Sequence, residues 1–312
     1  MNDYIKKVKY LILKIKNRLF QGKPVLVLMY HRISDVVDPS NKHLTVSIAN
    51  FEKQLQFFKK EYEVLRLGDS WLNLKKNGLV LTFDDGYADN YTTALPLLKK
   101  YNLPATIFVC SQNIDTTTEF WWDRLAAIYQ CLEEDFYISS GVKTQKNAFS
   151  IKQICTLLGD KNSQEIDCWL HELEQINGLI LQNRDQFRSL SLLELKALSN
   201  EPLIDIELHS NNHPSYSKLS LEQQIIDLEL NISFLKKNIL KSQYNYFAMP
   251  HGAYNADTFE LIDKLNLKGF LLANNYYSNA VNKEKKKINR ILMPSIQGKE
   301  LRVYLRKYKF PF

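Results

Sequence analysis

Three short stretches of this 312-residue sequence concentrate side chains that do chemistry. The first is Thr82-Phe83-Asp84-Asp85-Gly86, at the end of an apolar run. Two adjacent carboxylates at a buried strand end repel each other and lose solvation, a conflict that a bound cation resolves. One carboxylate then ligates while the other stays free as a base. The competing reading is an Asp-Gly turn that caps a helix. The second stretch is His209-Ser210-Asn211-Asn212-His213-Pro214, directly after Ile206-Glu207-Leu208. Histidines four apart reach one point in space if the backbone turns helically. Imidazole suits zinc and similar metals, and two imidazoles with one carboxylate make a three-ligand site with an open position. The chain has six histidines, and two fall in this hexapeptide, which favours ligation over two unrelated surface residues. The third stretch is Phe247-Ala248-Met249-Pro250-His251-Gly252. Its Pro and Gly shape a strand-to-helix turn, and His251 either faces the site or caps the next helix.

The elements that must hold these stretches are legible as apolar runs. Pro24–Tyr30 and Gly78–Phe83 are continuous apolar segments, the pattern of strands buried on both faces. Ala105–Val109, Leu203–Leu208, Tyr246–Met249 and Lys268–Leu272 also read as strands, with a short one at Glu63–Leu65. Helices are predicted over Phe51–Tyr62 and from Gly86 through Leu98, the latter kinked or restarted at Pro96. Another opens with a Ser220/Gln223 capping box and carries a stripe of Leu221, Ile225, Leu228, Ile232, Leu235 and Ile239. Strand, helix, strand in this order implies parallel strands with right-handed crossovers, whose C-terminal ends carry the reactive groups. The α/β class follows, as a parallel barrel or an open doubly wound sheet. Residues from about 115 to 200 are helix-rich without comparable strand alternation. No Pro/Gly/Ser linker bounds them, so they are expected as a helical insertion in one domain.

Composition narrows the function. Hydrophobic residues make up 45% of the chain, enough for a sizeable core. Residues 1–23 carry +6 and residues 283–312 carry +8 of a +7 total, which leaves −7 between them. An acidic middle without an aromatic ladder argues against a nucleic-acid enzyme. The four cysteines form no C-x-x-C pair and no disulfide framework, which suits a reducing compartment. No run of eighteen apolar residues is present. Ile5, Val8, Ile12, Ile15 and Leu19 recur at helical spacing among lysines. The pattern is a basic amphipathic helix that either contacts an anionic membrane surface or packs its stripe on the domain. The apolar stretch there is too short for a signal-peptide core. The expected location is cytoplasmic, peripheral to the inner face of the membrane. The expected organisation is a basic segment 1–23, a barrel-like domain 24–298 and a basic tail 299–312.

Together the three stretches resemble the polysaccharide deacetylase family, the NodB-like carbohydrate esterases. Thr82–Gly86 is similar to that family's first motif and His209-Ser210-x-x-His213 to its second. Met29-Tyr30-His31-Arg32-Ile33 and Ala105-Thr106-Ile107-Phe108 extend the likeness, which runs from Val25 to about Ser295. The resemblance implies a deformed parallel (β/α) barrel and a hydrolase that removes the acetyl group from an N-acetylated sugar in a polysaccharide or glycan precursor. It implies Asp84 as general base and Asp85, His209 and His213 as ligands of a divalent metal, most simply zinc, with nickel, cobalt or iron as alternatives. A backbone N–H just after Asp85 would help hold the oxyanion. Two departures stand out. The family's third motif carries an Arg two residues before its Pro, where this chain has Ala248; Arg290 is the candidate replacement. The late Leu-x-His motif that supplies an acid is not evident after Pro294, which leaves His31 or His251, with His31 better placed at a strand end. Tyr87, Trp122, Pro250, His251, Gly252 and Arg290 are the candidates for substrate contact, although paired Trp residues such as Trp121 and Trp122 more often pack in a core. The rival readings are a sugar-binding protein without catalysis, favoured by Ala248 and the missing acid motif, and a metal amidase acting on a non-sugar acyl amide.

Overall fold

The computed structural model describes residues 23–146, 148–159, 161–240 and 243–309. The helix expected within residues 1–23 lies outside the described residues. Along them the strands are β1 (Val25–Tyr30), β2 (Arg32–Ile33), β3 (Thr45–Val46), β4 (Glu63–Leu65), β5 (Gly78–Phe83), β6 (Ala105–Val109), β7 (Asp135–Ser139), β8 (Val142–Gln145), β9 (Ile204–Leu208), β10 (Tyr246–Ala248), β11 (Gly269–Leu271), β12 (Lys287–Ile288) and β13 (Ile291–Leu292). One nine-stranded sheet runs β12-β11-β10-β9-β6-β5-β1-β13, with β4 also paired to β5. Every pairing in it is parallel. β1 covers one whole edge of β5, so β4 and β6 share the other edge, at Gly78–Val80 and Thr82–Phe83 respectively.

Closure follows from the chain itself. The two edge strands, β12 and β13, are joined by Asn289 and Arg290 alone. Such a link spans no more than about 10 Å, so the sheet curls until its edges nearly meet. This is the deformed parallel barrel that the sequence predicts.

Period-two alternation divides the core into two layers. Val25 and Val27 of β1, Val80, Phe108, Tyr246, Ala248, Leu271 and Ile288 fill the interior, floored by Leu67, Trp71 and Leu74. Leu26, Leu28 and Tyr30 face outward onto helices, including Ile48–Glu61 through Phe51, Leu55 and Phe58. Every residue of β1, β5 and β6 is buried, as continuous apolar runs require. Each such Val or Leu contributes roughly 1.5–3 kcal/mol of burial free energy.

Three details refine the expectation. A π-helical turn at Asn90–Ala94 precedes the helix Leu95–Tyr101, so of the two readings of Pro96, kink or restart, the restart holds. Pro lacks the N–H that a first helical turn leaves unused anyway. The insertion contains an antiparallel hairpin, β7–β8, beside its helices Trp121–Cys131, Ile151–Leu158 and Ser163–Ile176. The basic stretch from 299 onward is largely a docked helix, Gly298–Lys309, whose Leu301 and Leu305, one turn apart, enter the outer core layer.

Candidate active site

The C-terminal ends of β1, β5, β9 and β10 deliver the reactive groups to one face of the barrel. Asp84 follows β5, His209 follows β9, Pro250 lies just beyond β10, and His31 follows β1. Strand alternation carries the inward side of β5 from Val80 through Thr82 to Asp84. Asp84 and Asp85 are 2% and 1% exposed, and His209 is 1% exposed.

Three atoms converge as a ligand set. His209 Nε2 is 3.2 Å and His213 Nε2 3.5 Å from Asp85 Oδ1. One ligand atom from each of Asp85, His209 and His213 lies within 4.8 Å of the others. The Oδ1 atom of Asp85 is buried without a hydrogen-bond partner, an orphan that a cation satisfies. Burial holds the His213 imidazole well below its usual pKa, with the neighbouring histidines acting in the same direction. That favours the neutral, ligating form. These residues fit a divalent metal.

The convergence is made by a loop and not by a helical turn. Ser210 and His213 adopt positive φ values of 79° and 56°, and the Ser210 hydroxyl oxygen accepts the His213 backbone N–H at 2.9 Å. Asp227 holds the loop from behind, accepting the backbone N–H groups of Asn211 and Asn212 and the hydroxyl of Tyr216. His209 is oriented separately: its Nδ1 sits 2.9 Å from the carbonyl oxygen of Ala248, which leaves Nε2 for the ligand cluster.

Asp84 has a different partner. Arg290 Nη1 and Nη2 donate to its Oδ1 and Oδ2 at 2.6 and 2.8 Å. Arg290 is fully buried, and its Nε donates to the Leu272 carbonyl at 3.1 Å. It sits on the two-residue link that closes the sheet, so a position remote from Ala248 in sequence supplies the guanidinium. Burial alone would raise the Asp84 pKa; the charges of Arg290 and His209 outweigh it and hold the carboxyl below its usual range. Asp84 is therefore kept as a carboxylate at neutral pH. Arg290 was expected among the substrate contacts; its complete burial against Asp84 removes it from that set.

Burial lowers the His31 pKa, against the opposing charges of Asp85 and Asp84, and its buried Nδ1 has no hydrogen-bond partner. Its backbone carbonyl accepts from Asn90 Nδ2 at 2.8 Å. The backbone N–H just after Asp85 does not serve an oxyanion as expected. The Gly86 N–H donates to the Asp84 carbonyl at 2.9 Å, closing a tight turn in which Asp85 takes φ 74°.

The remaining candidates separate by burial. Tyr87 is fully buried and donates its hydroxyl hydrogen to Asp123 Oδ2 at 2.6 Å, so it does not line an open cleft. Trp122 is 8% exposed; its Nε1 donates to the Tyr87 oxygen at 2.8 Å, and its ring lies 4.6 Å from that of His213. Both belong to the wall behind the Asp85–His209–His213 cluster and not to a free sugar platform. Burial pushes the Asp123 carboxyl up to about 7, against the hydrogen bonds of Tyr87 and Asn41 that favour its charge. Pro250 is buried, while His251 is exposed at the rim with its ring 4.4 Å from His213. Gly252 takes φ +66° and packs so tightly that an added Cβ would stand 3.0 Å from the Cβ of Ala273.

Sequence reading missed Asp123 and Asp227. Asp227 left a signal, a carboxylate adjoining the apolar stripe of the helix Leu221–Asn238. The buried face of that helix is rotated from the apolar stripe to include Gln224, Asp227 and Asn231. Each is used: Gln224 Nε2 donates to the carbonyl of Tyr216, and Asn231 Nδ2 to that of Val109 at the end of β6.

Comparison with known proteins agrees with this architecture. The Streptococcus pyogenes deacetylase PplD shares the fold with a TM-score of 0.60 at 22% identity, over 92% of this chain and 99% of that one. IcaB from Ammonifex degensii gives a TM-score of 0.59 at 16% identity, over 93% and 98%. In sequence, the poly-beta-1,6-N-acetyl-D-glucosamine N-deacetylase of Staphylococcus aureus is 25% identical over 296 residues, 84% of this chain and 79% of its own. Bacillus subtilis YxkH is 37% identical over 95 residues, 28% of this chain and 32% of its own length. The polysaccharide deacetylase family profile matches residues 72–140 and 176–270, more than half of the sequence. This chain belongs to the polysaccharide deacetylase family.

Proposed function

We propose that this protein is a metal-dependent carbohydrate N-deacetylase that hydrolyses the acetamide of an N-acetylated hexosamine within a glycan. One observation carries the reading: an ionised carboxylate, Asp84, locked by Arg290 beside the convergent ligand atoms of Asp85, His209 and His213. A divalent ion bound there, most simply zinc, supplies a Lewis acid that activates water and polarises the acetyl carbonyl. Asp84 accepts the proton of the attacking water, and Arg290 keeps the carboxylate charged and fixes its plane. The proton that Asp84 takes from water goes on to the departing amine, relayed by His31, whose buried Nδ1 is unpaired. Arg290 also answers the strongest support for a protein without catalysis, since a guanidinium engages the base despite Ala248.

The similarity to the Staphylococcus aureus enzyme supports β-1,6-linked N-acetylglucosamine oligomers as the first substrate to test. The test is acetate release from these oligomers and from other N-acetylhexosamines, with zinc-loaded and chelated protein in parallel. Acetate from the loaded protein only is the expected result. No acetate from any sugar, with zinc tightly bound, would favour the amidase reading. We also propose a cytoplasmic location at the inner membrane face, on the basic charge of residues 1–23; cell fractionation that finds the protein outside the cytoplasm would overturn it.

A further inference from the structure

The two histidines of the cluster are held in different ways. The Nδ1 of His209 has the Ala248 carbonyl, the usual kind of support for a ligating imidazole. The Nδ1 of His213 is buried with no hydrogen-bond partner. Rings surround it instead: Trp122 at 4.6 Å and 57°, and His251 at 4.4 Å and 81°. Of these two rings, Trp122 is pinned. Its Nε1 donates to Tyr87, whose hydroxyl donates to Asp123, and its other face stacks on Phe120 at 4.7 Å and 5°. Asn41 Nδ2 donates to the Trp122 carbonyl and to Asp123 Oδ1, at 2.9 and 3.3 Å, which closes the arrangement from the barrel side. Phe120 precedes, and Trp122 lies in the first turn of, the helix Trp121–Cys131 that opens the insertion, so this wall joins the insertion to the cluster.

We infer that the Asp123–Tyr87–Trp122 chain is a positioning device for His213, replacing by aromatic packing the hydrogen bond that this ligand lacks. Hydrogen bonds fix the indole plane; the indole then limits rotation of the imidazole, so that Nε2 stays aimed at the position shared with Asp85 and His209. Trp122, Tyr87 and Asp123 are positioning residues, and metal affinity is where their effect is read.

The inference rests on Asp85, His209 and His213 as the ligand set, and its test keeps the two separable. Zinc affinity is measured by competition with a chromophoric chelator on the parent chain, on Tyr87→Phe and on Trp122→Phe. Tyr87→Phe keeps the ring and removes the hydroxyl that joins the chain; Trp122→Phe keeps a ring over His213 and removes the Nε1 donor. Loss of an outer partner typically costs ten- to a hundredfold in affinity, and that loss is expected for both variants. Their cobalt-substituted forms should also show a shifted visible spectrum. Phe136→Leu, in the insertion core and off this chain, controls for general loosening: it should lower Tm and leave zinc affinity within twofold. If Tyr87→Phe does not fold, Trp122→Phe decides. A folded variant that binds zinc like the parent overturns the positioning role. A parent that binds no zinc overturns the ligand set itself.

Discussion

The barrel and its insertion place functional atoms by different physics. In the barrel, parallel register sets where each strand stops, and the reactive residues are the next ones along: Asp84 after Phe83, His209 after Leu208. Backbone hydrogen bonds fix these positions before any side chain is chosen. The insertion builds its own core from Leu125, Ile128, Leu132, Phe136, Ile154, Leu158, Ile166, Leu170 and Leu173. It meets the cluster at the stacked rings at its edge and meets the histidine loop through Ser163, whose hydroxyl oxygen accepts from Asn212 Nδ2 at 3.1 Å. The barrel thus supplies the proposed ligands and base, while the insertion supplies a wall whose precision depends on packing.

Substitutions can break or sharpen that division. The largest effect belongs to the barrel: Asp84→Asn should lower kcat about a hundred- to ten-thousandfold while zinc affinity stays near the parent value. Steady-state kinetics and chelator competition read both, and an active Asp84→Asn would mean that the base is elsewhere. Next, Arg290→Ala leaves Asp84 buried and unpaired. It should cost about 3–5 kcal/mol in denaturant unfolding, because removing one partner strands the other's charge. Leu170→Ala, in the insertion core, should cost about 2–5 kcal/mol of stability yet keep zinc affinity, if the two regions are separable as described. A large drop in affinity there would show that the insertion core and the cluster act as one unit.

The last test is a pH slope. Asp123 is held near 7 in the folded chain, against an ordinary carboxylate value of 3.8. The unfolded chain therefore releases its proton first, and this group's contribution to stability is complete below about pH 4 and is lost as pH rises toward 7. Unfolding free energies measured at pH 4, 5.5 and 7 should show this decline, and Asp123→Asn should flatten it. An unchanged slope in Asp123→Asn would assign the titration to another group.

Some of this was legible without coordinates because it depends on local patterns. Continuous apolar runs marked β1, β5 and β6, since a strand covered on both faces needs no polar side. The Ser220/Gln223 capping box formed where its spacing predicted, because capping is settled within one turn. Hydropathy gave a poorer account of the helix after it. Gln224, Asp227 and Asn231 are buried because carbonyls and N–H groups at the strand ends need partners, and an apolar stripe does not register that demand.

By itself the sequence determined the parallel α/β class, the two strand ends that carry Asp84, Asp85, His209 and His213, and the absence of an Arg at position 248. These are properties of short segments, where residue type and period suffice. Only the tertiary structure decided that Arg290 takes up Asp84, that Asp227 braces the histidine loop, and that Tyr87 joins Trp122 to Asp123. Those contacts join positions beyond the reach of a local pattern, from 16 residues apart for Asp227 and Asn211 to 206 for Arg290 and Asp84. Curling of the sheet, and not any local preference, brings the closing link over the end of β5.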